Sequence, residues 1–89
     1  MKTIKLTLSS PDGTVFDSDV VSASVRGADG DLAVLAGHVP FVTTVKAGKC
    51  VVLTEDDEIT FSIGAGLLTV SSDKAVILAE SVRQEAPDK

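Results

Sequence analysis

Gly30-Asp31-Leu32-Ala33-Val34-Leu35-Ala36-Gly37-His38-Val39-Pro40-Phe41-Val42-Thr43-Thr44-Val45-Lys46-Ala47-Gly48 is the stretch on which the fold turns. An apolar run enters a Gly-His-x-Pro corner, and a second apolar run leaves it and stops at Ala47-Gly48. Gly37 takes a positive φ at little steric cost. Pro40 fixes its own φ, removes a donor and pushes Val39 toward an extended backbone. The stretch therefore reads as strand, sharp corner, strand, and it holds the only histidine, His38.

The same grammar extends in both directions. Upstream, Ile4, Leu6 and Leu8 alternate with Lys5, Thr7 and Ser9, the mark of a half-buried strand. Ser10-Pro11-Asp12-Gly13 is a turn, Thr14 to Asp17 resumes an extended chain, and Val20 to Val25 reads as one further strand. Gly27 to Asp31 is a loop. Downstream, Lys49–Thr54 and Glu58–Ile63 form a hairpin across an acidic link, and Leu67–Ser71 and Ala75–Ala79 form a second one across Ser72-Asp73-Lys74. No apolar 3.6-residue period persists for three turns. Short strands at 8–12-residue spacing with Gly/Pro turns predict an all-β domain, a small two-sheet β-sandwich of about eight to ten strands with no substantial helix. The sandwich is expected over residues 1–80, and the polar residues 81–89 are expected to form a tail.

Eighty-nine residues make one domain. A chain of this size buries only about 60–65% of its unfolded surface, which supports one thin core and no enclosed catalytic cavity. With 44% apolar residues and only Phe16, Phe41 and Phe61 as aromatics, that core is built from Val, Ile, Leu and Ala. The net charge of −5 and the absence of a basic cluster argue against nucleic acid as a partner. Cys50 stands alone, so no internal disulfide forms. The alternating N-terminus is unlike a signal peptide, and no apolar run approaches the ~20 residues of a membrane helix. The chain is expected to be soluble, made without a cleaved leader, and to reach a membrane only through partners.

No residue set points to chemistry. His38 lacks a discriminating nucleophile and acid, and reads better as a corner residue. One His and one Cys twelve positions apart do not make a zinc site. Glu55-Asp56-Asp57-Glu58 sits at a hairpin tip that splays its side chains and lacks calcium-loop spacing. Gly64-Ala65-Gly66 lacks the rest of a dinucleotide fingerprint, and marks a bend or a close backbone approach instead. No catalytic residue, cofactor or metal is expected. What exceeds an ordinary sandwich is a surplus of adjacent apolar residues: Val20-Val21, Val51-Val52-Leu53, Leu67-Leu68 and Val76-Ile77-Leu78. A sandwich buries one face of each sheet, so the surplus predicts an outer apolar patch for another protein, with Ile77 on the face opposite Val76 and Leu78. A standard interface would take about 800 Å² of it.

The order of the segments resembles the N-terminal domain of the ε subunit of F-type ATP synthases. The most specific part is Val25 to Pro40, similar to the family's Gly, acidic residue, short strand and Pro-Gly-His-x-Pro. Phe41 to Gly48 is similar to its apolar-Leu-Thr-x-apolar-Lys-Pro-Gly. Phe61 to Val70 matches its strand, Gly-Gly turn and strand, and Val76 to Glu80 its strand ending in Leu-Ala-Asp or Leu-Ala-Glu. The resemblance covers nearly the whole chain. Ala33, Ala36, Ala47 and Ala65 depart from it where the family often has Gly or Pro. Family members usually continue into a C-terminal helical pair that carries an inhibitory switch; here the sequence stops at Lys89, so neither switch nor nucleotide site is carried over.

The resemblance implies a non-catalytic rotor subunit that clamps the γ subunit and rests on the membrane c-ring, at the cytoplasmic face of a bacterial inner membrane or its thylakoid equivalent. By motif match Asp31 is the expected c-ring contact, with Gly37, His38 and Pro40 at the corner beside it. The outer face, with Leu67, Ile77 and Val52, is expected to meet γ. The alternative is a free-standing sandwich that binds a small ligand or peptide, which needs a concave pocket rather than a broad patch.

Overall fold

In the computed structural model, residues 2–37 and 40–85 are described, and they contain strands and turns only. Ten strands run in chain order: β1 Ile4–Ser10, β2 Gly13–Val20, β3 Ser22–Gly27, β4 Gly30–Leu35, β5 Phe41–Val45, β6 Gly48–Leu53, β7 Glu58–Ile63, β8 Gly66–Val70, β9 Lys74–Ala79 and β10 Val82–Gln84. One layer is β4-β3-β6-β7-β10 and the other is β5-β8-β9-β1-β2. The layers are stitched by a single bridge, Gly27 with Val45, backed by the Lys46 N–H donating to the Arg26 carbonyl at 2.8 Å. All pairings are antiparallel except β1 with β9. That parallel pair sets Lys5–Ser9 beside Lys74–Leu78, so the beginning and end of the chain close the second layer together.

The expected sandwich is therefore present, with three differences. Val20 to Val25 is not one strand. The chain leaves one layer after Val20 and enters the other at Ser22, and the Val21 N–H at the crossing donates to the Leu53 carbonyl at 2.6 Å. The polar segment after residue 80 is not wholly a tail: Val82–Gln84 pairs with Phe61–Ile63, and Lys49 holds Glu85 at 3.6 Å. Backbone pairing needs no apolar side chains, so composition hid this strand. Residues 86–89 lie outside the described residues.

The third difference concerns which face is inside. Ile77 and Val52, expected on the outer face, are 1% and 0% exposed and belong to the core. The phase of β9 is set by its neighbours. Ile77 pairs with Leu8 on one side and Leu68 on the other, and both are fully buried. The inner row of β9 is thus Ala75-Ile77-Ala79, and the bulkier Val76 and Leu78 face out. Side-chain size alone favours the opposite phase, because two alanines sit on the inner row. Val52 likewise pairs with Ala23 and Ile59, sharing the inner row of β6 with Cys50.

The core joins Leu6, Leu8, Val20, Val52, Phe61, Leu68 and Ile77. Phe16 of β2 meets Phe61 of β7 edge to face, with centroids 5.4 Å apart, which ties the β2 edge of one layer to the other layer. Gly66 explains the Gly64-Ala65-Gly66 break. A Cβ there would stand 2.6 Å from the Ala79 Cα and closer still to the Leu78 carbonyl oxygen, so only glycine lets β8 lie this close to β9. Among the described residues no non-glycine residue has a positive φ, so Ala33, Ala36, Ala47 and Ala65 sit in the backbone without strain.

Candidate protein-docking site

The outer face of the β5-β8-β9-β1 layer carries apolar side chains in register. Leu67 of β8 pairs directly with Leu78 of β9, and the two are 39% and 54% exposed. The next row sets Thr69 against Val76 on one side and against Val42 of β5, 62% exposed, on the other. Thr44, beside Leu67, and Ser9, beside Leu78, continue the first row. Cross-strand partners lie about 5 Å apart, so these residues form one continuous surface rather than scattered exposures. Toward the β2 edge the surface becomes charged, with Lys5 holding Asp17 at 3.4 Å.

At one end this face opens into a groove of about 560 Å³. It is lined by the Ser10-Pro11 turn, by Gly66 and Leu67 of β8 and by Leu78 of β9, with Glu80 at its rim. The Glu80 N–H donates to the Ala65 carbonyl at 2.9 Å, which pins the rim to the β7–β8 turn.

The outer face of the other layer is built differently. Leu35 and Leu53 are exposed there but flank the small Ser22, and Glu58 stands opposite Leu53. Ala33, Ser24, Val51 and Thr60 make the next row, and the third holds the Arg26–Asp31 pair at 3.9 Å. Here the two exposed leucines are held apart across Ser22 rather than paired with each other, and the surface ends in charge.

Asp31 lies at the start of β4, with a side chain 86% exposed, beside the turn that joins β3 to β4. Lys46, Gly27 and Gly30 share its surroundings. Gly37 and Pro40 are exposed at the opposite end of the same strand, where Gly37 takes φ +85°. Four steps of extended strand separate Asp31 from Leu35, roughly 13 Å at about 3.3 Å per residue, and the turn at Ala36 and Gly37 begins beyond that end. The structure therefore does not bring Asp31 and the corner together. His38 falls outside the described residues.

The acidic hairpin tip is a local turn device. Thr54 Oγ1 accepts the backbone N–H groups of Asp57 at 2.9 Å and Asp56 at 3.3 Å. Among the described residues no three metal-ligating side chains converge. Cys50 is fully buried, and burial pushes its thiol from 9.0 up to about 11, so it is neither a nucleophile nor a ligand at neutral pH. Of the three residues expected at the outer face, only Leu67 is there. Leu78 and Val42 were missed, although both belong to runs of adjacent apolar residues. Pairing partners, not composition, assign them outward.

Comparison with known proteins agrees with this architecture. A family model described as the ATP synthase delta/epsilon chain β-sandwich domain matches residues 3–85. The chain is 37% identical over 90 residues to the ATP synthase epsilon chain of Bacillus velezensis, covering 100% of this chain and 68% of that one. It is 34% identical over 82 residues to the ATP synthase epsilon chain of Chlorobium limicola, covering 91% and 93% respectively. Among solved structures, a chain of the Euglena gracilis mitochondrial ATP synthase, in a complex of OSCP, F1 and c-ring, superimposes with a TM-score of 0.86 at 25% identity. It matches 92% of this chain and 53% of its own length. The chain thus spans about two thirds of the Bacillus relative and about half of the Euglena one.

Proposed function

Because the chain belongs to the ATP synthase delta/epsilon-chain β-sandwich family, we propose that it is a non-catalytic central-stalk subunit joining γ to the membrane c-ring. Ion flow through the ring turns such a joint, and the joint passes torque to the γ shaft that drives ATP synthesis. The physical requirement is a stiff body with two contacts. A close-packed sandwich with its core shared between two layers supplies the stiffness.

The observation that carries the reading is the directly paired, exposed Leu67 and Leu78 on the outer face of β8 and β9, with Val42 and Val76 in the adjacent row. Leu67, Leu78 and Val42 are the γ-facing residues in this reading. An exposed, continuous apolar surface of this kind is what an obligate subunit contact requires. The c-ring contact belongs to the end that bears Asp31, with Arg26 and Lys46 beside it, a mixed-charge surface suited to polar loops. The Gly37–Pro40 corner, at the other end of β4, is free to serve a different neighbour. The subunit reaches the membrane through the ring, on the F1 side, which is the cytoplasmic face in bacteria or the equivalent face of the thylakoid.

The test is binding to the cognate γ subunit, with stoichiometry fixed by size-exclusion chromatography. The wild-type chain should form a one-to-one complex. Leu78→Glu should lose it, with Kd weakened at least about a hundredfold, since it places a charge in the centre of the interface. Unchanged binding by Leu78→Glu would sink the assignment of this face.

A further inference from the structure

Resting on the γ-binding reading, we propose that the groove beside Pro11 is the specificity pocket of that face, and that it takes a lysine or arginine of γ lying stem-down across Leu67 and Leu78 with its charge on Glu80. Three observations lead there. The groove is contiguous with the apolar row, because Leu67 and Leu78 form its wall. It ends where Gly66 lets β8 close against β9, so that Leu67 and Leu78 stand side by side on its wall. Its rim carries the Glu80 carboxylate, which makes no ion pair among the described residues and is the acidic group that lines the groove.

An apolar trough that ends in a single unmatched carboxylate selects an amphipathic side chain. Lys and Arg bury a three- or four-carbon stem along apolar surface while the head stays at a polar rim. A purely aliphatic partner residue would fill the trough but leave Glu80 desolvated without a counter-charge, which costs binding energy. An acidic one would be repelled. The backbone that bears Glu80 is held at this end of the groove, since the Glu80 N–H donates to the Ala65 carbonyl at 2.9 Å and the Gly64 N–H donates to the Ser81 carbonyl at 2.9 Å. The whole chain carries a net charge of −5, so a basic partner residue also gains from the surrounding field.

Glu80→Gln keeps the side-chain shape and the backbone hydrogen bond and removes only the charge. Affinity for γ, measured by calorimetry against salt, should fall about tenfold in dilute buffer for this variant, and the difference should shrink toward zero in about 1 M salt, where the Debye length is about 3 Å. Thermal stability should not change. If Leu78→Glu abolishes binding but Glu80→Gln binds like wild type at every salt concentration, the pocket assignment fails while the γ face stands. If neither variant affects binding, the γ face itself fails.

Discussion

Leu68 and Ile77 face each other across β8 and β9, and one residue away Leu67 and Leu78 do the same. The four side chains are nearly equal in size and hydrophobicity, yet the first pair is sealed in the core and the second is open to solvent. The difference arises from phase. Neighbouring strands β1 and β5 offer Leu8 and Thr43 to the first row, and Ser9 and Thr44 to the second. The first row closes against the opposite layer; the second has nothing among the described residues to close against. The first is explained by folding, and the second asks for a partner.

The comparison breaks most visibly if a charge is placed in each row. Ile77→Glu buries a carboxylate among Leu8, Leu68 and Phe61 without a counter-charge. It should remove more than about 4 kcal/mol, most of the stability expected of a domain this size. Leu78→Glu should change stability by no more than about 0.5 kcal/mol, because its side chain stays in water. Urea unfolding followed by circular dichroism measures both. Similar losses from the two substitutions would mean that the rows are not distinct.

The dryness of the core into which the inner row packs is probed more gently from the opposite layer, by the buried Cys50 of β6. The Cys50 thiol is raised from 9.0 to about 11 by burial. Below pH 9 the folded and unfolded states both keep the proton, so Cys50 leaves stability unchanged there. Between pH 9 and 11 the unfolded thiol ionises while the folded one does not, so the unfolded state binds fewer protons and stability falls as pH rises. The loss should reach about 2 to 3 kcal/mol by pH 11. Cys50→Ala should lack this component of the alkaline slope, and the difference between the two unfolding curves isolates it. Parallel curves would show that water reaches the core.

Phase also explains what was legible in the sequence and what was not. Strands with clean alternation, such as Ile59-Thr60-Phe61-Ser62-Ile63, announced both their existence and their inner face. Turn chemistry at Ser10-Pro11-Asp12-Gly13 and the positive φ at Gly37 were equally readable, because they depend on a few adjacent residues. Runs with apolar residues on both faces announced a strand and a surplus but not the direction. In β9 the alanines at 75 and 79 disguised the inner row, and the decisive information lay in β1, some seventy residues away. The spacing between Asp31 and the corner was hidden for the converse reason. Nearness in sequence suggested nearness in space, and an extended strand separates its ends by its full length. Strand β10 was invisible because backbone hydrogen bonds carry no compositional mark.

The smallest expected effect separates the two outer faces from each other. Leu53, like Leu67, is 39% exposed, but it lies on the other layer beside Ser22 and opposite Glu58. Lysine at this position gains a cross-strand partner in Glu58, a pairing worth a few tenths of a kcal/mol, which offsets the lost apolar contact. Leu53→Lys should therefore leave stability within about 0.5 kcal/mol of wild type. If γ docks only on the β5-β8-β9 face, its affinity should also stay within about twofold, because a substitution outside an interface acts only through weak long-range charge. A loss comparable to that of Leu78→Glu would place Leu53 in the γ contact. The face bearing Leu35 and Leu53 would then be part of the clamp, and the direct pairing of Leu67 with Leu78 would no longer be what distinguishes a docking surface on this sandwich.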